Sequence, residues 1–181
     1  MTEPWTREKL LNRLLRSYQS YYDIYPTENG EKDGLPLAAH CRFFIHSEKY
    51  VLIKKAKLWE ADSNEFLYIF NLPHLTEELY DSCEKYAYEE GMKQIDPKPG
   101  HMCSYITAMF LCDTCDPAAL KKPRKNHIYK SFRFSLYGWM DYHTALFTLS
   151  DNGIYTNRSG RDNVKFMKSI LSQCTKEEKH T

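Results

Sequence analysis

The sequence predicts a single α+β domain, a mostly antiparallel mixed sheet with helices packed on it, in the order α-βββ-α-β-α-βββ-α. Two observations predict this class. Segments with apolar residues at three- and four-residue spacing, typical of amphipathic helices, alternate with short runs rich in aromatic and β-branched residues, typical of strands. The 181 residues fit one domain, and no low-complexity linker divides them. We expect the domain to span residues 1–173, followed by a charged, frayed tail at 174–181.

The first part of the chain predicts a helix and an antiparallel meander. Thr6 can cap a helix whose apolar stripe starts at Leu10 and continues to Tyr22. A loop rich in glycine and charge follows at 27–36. Three strands are then expected at 39–46, 50–60 and 65–70, because short polar segments at 47–49 and 61–64 are typical of turns.

The middle of the chain predicts a helix and a central strand. Thr76 is a good N-cap for a helix ending near Gly91, and the acidic residues after it favour the positive end of the helix dipole. Residues 102–111 are apolar on both alternating faces, which is typical of a strand buried on two sides. We therefore place this strand at the centre of the sheet.

The C-terminal part predicts two helices separated by three strands. Asp116 and Pro117 indicate the start of a short helix that must end before Pro123. In the first strand, at 129–136, side chains alternate between the two faces, and we expect the even-numbered apolar side chains to lie in the hydrophobic core. The remaining expected elements are strands at 140–149 and 154–157 and a last helix capped by Asp162.

Composition limits the cellular compartment and the classes of binding partner that we expect. The formal net charge is +1, so no whole-molecule field attracts nucleic acid or anionic membrane. A basic segment followed by an apolar run is absent at the N-terminus, and no stretch of about 18 apolar residues occurs. The six cysteines lie in periodic segments and are expected to be reduced thiols. We expect a cytoplasmic protein without cofactor, with a small molecule or a protein rather than nucleic acid or membrane as partner.

Adjacent lysines interrupt one apolar strand. Lys54, Lys55 and Lys57 lie within the predicted strand 50–60, whose two faces are otherwise apolar. A buried lysine must be paired or lose its proton. Either one face of this strand becomes exposed to solvent, or these amines line a polar pocket.

The chain has one basic concentration, Lys121-Lys122-Pro123-Arg124-Lys125, followed by Lys130 and Arg133. Aromatic residues interleave with its later part, and phosphate contacts combined with stacking rings are typical of single-strand binding. We nevertheless expect a solvated basic turn, because most of those rings are predicted to be core. Two isolated residues are further candidates: His101, which opens the central strand after a Pro-Gly turn, and Trp139.

Asp141 and His143 project from one side of a predicted strand, about 7 Å apart along it. The carboxylate could orient the imidazole only with some bending of the strand. No serine or cysteine nucleophile is placed beside them by spacing, so a catalytic triad is not indicated. An exposed sheet face is the simpler interpretation.

Two other functions compete with a binding role. The element order matches the core order of PD-(D/E)xK nucleases, and Glu60, Asp62 and Glu65 could hold a metal ion, but Leu67 stands where the lysine of that motif is needed. Cys112 and Cys115 form a CxxC motif before a helix start, a context that can suit thiol–disulfide chemistry. The aspartates beside them add negative charge where a low thiol pKa requires positive charge.

Short segments over about 37–160 resemble an uncharacterised family of small bacterial proteins, a domain of unknown function. The matching residues are Glu48-Lys49-Tyr50, Lys54-Lys55-Ala56-Lys57, Glu65, His101-Met102, Ile106-Thr107, Lys130-Ser131-Phe132, Gly138-Trp139, Thr156-Asn157 and Gly160. The resemblance implies a bacterial, cytoplasmic protein and no particular activity. Its pattern does not include the CxxC motif.

The leading hypothesis is a non-catalytic cytoplasmic binding or interaction domain with a cationic and aromatic cleft. No complete catalytic set is present, so an enzyme is not the leading hypothesis. The candidate cleft residues are Lys54, Lys55, His101, Lys130 and Trp139. The alternatives are a metal-dependent phosphodiester hydrolase of degenerate PD-(D/E)xK type and a CxxC thiol protein.

Overall fold

Residues 6–51 and 56–177 are described in the computed structural model of the chain, with side chains described for 6–45 and 62–170. The helices and strands within these residues follow the predicted order α-βββ-α-β-α-βββ-α. They are α1 (Arg7–Tyr18), β1 (Asp23–Pro26), β2 (Leu37–Val51), β3 (Ala56–Leu75), α2 (Glu77–Gln94), β4 (His101–Cys115), α3 (Pro117–Lys125), β5 (Tyr129–Ser131), β6 (Trp139–Thr148), β7 (Gly153–Thr156) and α4 (Arg161–Glu177).

The first two helices begin at the predicted caps. The hydroxyl of Thr6 accepts a hydrogen bond from the Lys9 amide at 3.2 Å, and that of Thr76 accepts one from the Leu79 amide at 3.2 Å. Each bond satisfies one of the amides that a helix N-terminus leaves free. Both helices are therefore positioned by local chemistry that the sequence reveals.

The strands form one mixed sheet with the order β1-β2-β3-β4-β6-β5, and β7 pairs with β6 beside β5. β4 is parallel to both of its neighbours, β3 and β6, whereas the other four pairings are antiparallel. Parallel neighbours require a crossover connection, and α2 and α3 lie in the two connections concerned. The predicted class, a mostly antiparallel mixed sheet with packed helices, is confirmed.

The two faces of the sheet carry separate apolar cores. On the first face, Leu14 of α1 and Met167 of α4 pack with Met109 of β4. On the second face, Tyr80 of α2 and Ala119 of α3 belong to the core that contains Phe110 of β4. Successive residues of β4 thus point into different cores, which confirms that this strand is central and buried on both sides.

The predicted three-stranded meander over 39–70 is wrong. Residues 47–49 and 61–64 lie within β2 and β3 instead of forming turns, since Ser47 pairs with Ala61 and Phe44 with Asn64. The expected middle strand 50–60 is divided between β2 and β3. The third strand of this group is β1, which lies just beyond the end of α1. Lys54 and Lys55 lie outside the described residues.

A left-handed turn ends β5 at Ser131, where sequence alternation predicted a strand to 136. Arg133, Phe134 and Ser135 have φ angles of 46°, 54° and 65°, and the Tyr137 amide donates to the Phe132 carbonyl at 3.1 Å. The predicted core assignment of Phe134 is wrong: its side chain is 98% exposed. Three successive non-glycine residues in this conformation store backbone strain.

Gly138 closes this turn with a φ of 72°. A side chain here would collide with the backbone carbonyl oxygen of Met102 and would approach that of His101 to 2.7 Å. Only glycine combines this conformation with this close approach. The turn is therefore attached to the start of β4.

Three helix boundaries differ from prediction. α2 continues past Gly91 to Gln94, and α3 contains Pro123 instead of ending before it. α4 begins at Arg161, so Asp162 lies in its first turn, and the helix continues to Glu177 through part of the predicted tail.

Candidate functional site

Beyond the core of the first face, a row of polar and aromatic residues crosses the sheet. Glu65 of β3, Tyr105 of β4 and Asp141 of β6 are register neighbours, with Phe43 of β2 beside Glu65. Side chains of register neighbours share a face, and adjacent strands lie about 4.8 Å apart. All four side chains are partly exposed. We call Glu65, Tyr105, Asp141 and His143, which projects from the same face of β6, the polar patch.

The carboxylate of Glu65 is held by two hydroxyl groups. Tyr22, in the segment after α1, donates to Oε2 at 2.5 Å, and Thr107 of β4 donates to Oε1 at 2.7 Å. Burial and the charge of Glu65 raise the pKa of Tyr22 above its usual value, so the phenol keeps its proton and can donate. These bonds fix the orientation of a partly exposed carboxylate.

Aromatic rings form a wall beside Glu65. The ring of Tyr22 lies 5.2 Å from that of Phe43 and 4.8 Å from that of Tyr18, and Tyr18 lies 5.0 Å from Phe166 of α4. Such ring pairs contribute packing energy beyond their buried area. The wall joins α1, β2 and α4 at the edge of the polar patch.

The imidazole of His143 lies in negative surroundings. Its ring stacks on that of Tyr105 with centroids 4.9 Å apart. Burial lowers the pKa of His143, whereas Glu65, Asp141 and Asp162 act in the opposite direction. Within the described part of the chain, neither the imidazole of His143 nor the carboxylate of Asp141 makes a hydrogen bond. Two partly buried polar groups of the patch are thus available to a ligand.

Tyr105 completes the patch as a neutral phenol. Burial and a hydrogen bond with Cys103 raise the pKa of Tyr105 to about 12. The hydroxyl is therefore protonated at neutral pH and can donate as well as accept. Together these residues offer two carboxylates, an imidazole and a phenol on one open surface.

Comparison with known families matches residues 6–169 to a domain of unknown function, DUF8052. The chain belongs to this family. No curated protein and no solved structure matches the chain. No described helix of this DUF8052 protein has the length and apolar character needed to cross a membrane.

His101, a candidate from the sequence, is a buried residue of the DUF8052 fold. Its Nδ1 donates to the carbonyl of Tyr137 at 2.6 Å, because a carbonyl oxygen can only accept. Its Nε2 forms a hydrogen bond with the hydroxyl of Ser104 at 2.8 Å. His101 therefore fastens the left-handed turn to β4.

Of the five predicted cleft residues, two, buried His101 and exposed Lys130, lie near the same aromatic ring. The ring of Phe132 lies 5.8 Å from the imidazole of His101 and 5.9 Å from Nζ of Lys130. Trp139 shares the first face with the polar patch, whereas the Phe132 ring belongs to the core of the second face. Lys54 and Lys55 lie outside the described residues.

β3 does not bring together Asp62 and Glu65, two of the three residues expected to hold a metal ion. Asp62 is buried, and an odd separation places it on the opposite face of the strand from Glu65. The side chain of Glu60 is not among those that the structure describes. Among the described residues no group of three or more histidine, cysteine or acidic side chains could hold a metal ion.

Cys112 and Cys115 are free thiols at the end of β4. Burial, together with the neighbouring Cys115 and Asp113, raises the pKa of Cys112 to about 12. Burial and Asp116 raise the pKa of Cys115 to about 11. Thiolate is the reactive form, so these surroundings oppose thiol–disulfide chemistry.

Sequence reasoning missed one residue of the polar patch, Tyr105. Asp141 and His143 were placed correctly on one face, and Glu65 was considered as a metal ligand and as part of the family resemblance. The two hydroxyl groups that hold Glu65, those of Tyr22 and Thr107, were not foreseen. The sequence does contain a signal for two of these residues. Tyr105 and Thr107 carry hydroxyl groups and alternate with apolar residues on a strand that was predicted to be buried on both sides.

Proposed function

We propose that this DUF8052 protein is a non-catalytic binding domain that holds a small molecule on the polar patch. The observation that carries the proposal is the pair Asp141 and His143: partly buried groups without hydrogen-bond partners among the described residues. Neither side chain has a buried unpaired polar atom, so both reach solvent and a ligand can take the place of water as their partner. Glu65, which Tyr22 and Thr107 fix in place, is a third contact point.

The charge of the patch suggests the chemistry of the ligand. Each charged group that acts on the His143 imidazole is a carboxylate: Glu65, Asp141 and Asp162. The rings of Tyr105 and Tyr22 add faces that attract cations. The best-suited ligand is a small organic cation with an aromatic ring, so that an ammonium group meets the carboxylates and the ring stacks on the aromatic residues.

We also propose that the protein acts in the bacterial cytoplasm. The described cysteines are free thiols, and four of them are buried in periodic elements. Reduced, buried cysteines are typical of proteins from reducing compartments.

Titration with two related probes tests the binding proposal. Tyramine carries an ammonium group and a phenol ring, and 4-hydroxyphenylacetate carries a carboxylate on the same ring. Backbone amide NMR at millimolar probe should show tyramine shifting the signals of Tyr105, Asp141 and His143, with the acid shifting none of them. Substitution Asp141→Asn should weaken tyramine binding about tenfold, the value of one charge-assisted hydrogen bond.

The matched control is Asp96→Asn, which removes an equal charge at an exposed carboxylate paired with Lys98 at 3.3 Å. This variant should bind tyramine as the unaltered protein does. Equal weakening in both variants, or equal binding of the two probes, would show that the patch does not recognise a cation.

A further inference from the structure

A second concave surface lies between α3 and β7, away from the polar patch. Its volume is about 410 Å³, within the range of roughly 300–1,000 Å³ that small-molecule sites occupy. We call it the α3–β7 groove. The residues that line it are Pro117, Leu120, Lys121, Arg124, Lys125 and Tyr155.

The groove divides the basic run of the sequence into two parts. Lys121, Arg124 and Lys125 have the three- and four-residue spacing that places side chains on one face of a helix. Lys122 instead forms ion pairs with Glu77 at 2.9 Å and Asp81 at 2.8 Å, on α2. The three groove cations form no ion pair with any described residue.

The surface between these cations is apolar. Leu120 and Pro117 come from α3, and the ring of Tyr155 comes from β7. The hydroxyl of Tyr155 donates to Asp151 at 3.0 Å, which holds the ring in place. Cations in the last turn of a helix stabilise its negative end. That effect accounts for Arg124 and Lys125, but it accounts neither for Lys121 nor for the apolar concavity beside these cations.

We propose that the α3–β7 groove binds a phosphorylated small molecule with a planar ring, the chemistry of a mononucleotide. The ring stacks on Tyr155, and the phosphates bind Lys121, Arg124 and Lys125. Lysine and arginine are the residues that bind phosphate oxygens, and stacking on an aromatic ring tolerates any base. The site is separate from the polar patch, so either proposal can fail without the other.

Calorimetric titration of the full chain with ADP, pyrophosphate and adenosine tests this proposal. ADP should bind, and each of its two fragments should bind at least about tenfold more weakly, since each supplies only one of the two contacts. Raising the salt concentration should weaken ADP and pyrophosphate but not adenosine. Absence of ADP binding at millimolar concentration would overturn the proposal.

Variants assign the binding to the groove. The triple substitution Lys121→Gln, Arg124→Gln and Lys125→Gln should weaken ADP at least about tenfold. Tyr155→Phe loses the bond to Asp151 but retains the stacking ring, so it should keep most of the affinity for ADP, whereas Tyr155→Leu should reduce it to that for pyrophosphate. The matched control is the triple substitution Lys85→Gln, Lys93→Gln and Lys98→Gln, which removes the same charge from exposed positions.

Two results would contradict the assignment. Equal loss of ADP affinity in the two triple variants, with circular dichroism confirming that both fold, would mean that general charge causes the binding. An oligonucleotide that binds far more tightly than ADP would identify a single-strand surface instead of a mononucleotide site. Unchanged ADP binding in Asp141→Asn would confirm that the groove and the polar patch are independent.

Discussion

His143 is subject to two opposing influences on its protonation. Burial disfavours the imidazolium and is the larger effect, so the pKa lies below its usual value of 6.5 despite Glu65, Asp141 and Asp162 nearby. Between that lowered pKa and the value of the unfolded chain, the folded state binds fewer protons than the unfolded state. The free energy of unfolding therefore rises with pH across this window and falls as pH is lowered from about 6.5.

Replacing His143 by glutamine should remove this contribution. The drop in melting temperature between about pH 7.5 and about pH 5.5 should be smaller in His143→Gln than in the unaltered protein. Thermal unfolding followed by circular dichroism at both pH values measures it. His127→Gln, at an exposed position, is the control. An equal pH dependence in His143→Gln and the unaltered protein would show that this imidazole does not titrate as described.

At the scale of elements, one buried asparagine joins β6 to the start of α4. The side chain of Asn157 accepts hydrogen bonds from the amides of Thr144 at 3.1 Å and Gly160 at 2.9 Å. It also donates to the carbonyl of Tyr142 at 2.6 Å. Asn157 is only 2% exposed, so water cannot replace these partners.

Asn157→Leu keeps the number and branching of the side-chain heavy atoms and removes all three hydrogen bonds. We expect the free energy of unfolding to fall by about 3 kcal/mol, since buried backbone groups lose their partners. Urea denaturation measures the change. Asn163→Ala, in the first turn of α4, should change stability by less than about 0.5 kcal/mol. A loss as small as this in Asn157→Leu would mean that the connection is not held by this residue.

Helices and strands differ in how much of them the sequence predicts. The starts of α1 and α2 depend on a cap within four residues, and both were located correctly. The turns expected at 47–49 and 61–64 are absent. Polar residues at these positions do not end the strands, because β2 and β3 pair with each other through them. The left-handed turn after Ser131 has no local signal apart from Gly138, because its other residues adopt an unfavourable conformation.

The polar patch was predictable only within single strands. Asp141 and His143 share a face because of the two-residue period of a strand, and that part was deduced correctly. Tyr105 and Glu65 reach them through the register of β3, β4 and β6, which are separated by α2 and α3 in the chain. No single segment of the sequence encodes such non-local pairing. The spacing of residues within one strand therefore could not predict that the polar patch comes together.

At the scale of the whole molecule, a net charge of +1 hides two surfaces of opposite sign. The polar patch on the first face has carboxylates and aromatic rings. The α3–β7 groove has an apolar floor and three cations that form no ion pair with any residue the structure describes. Local charge decides which small ligand a protein attracts, and a near-neutral total provides no long-range field. Composition alone therefore does not reveal these two surfaces.

The sheet is uneven in width along β3. From Asp62 to Phe70 this strand has β2 on one side and β4 on the other, whereas at 56–61 its described neighbour is β2 alone. A two-stranded ribbon is only marginally stable by itself, so its amides open without the rest of the domain. Deuterium uptake should therefore be graded within a single strand, with amides at 56–61 labelled orders of magnitude faster than those at 66–70. Uniform labelling along β3 would mean that the ribbon is covered by another chain.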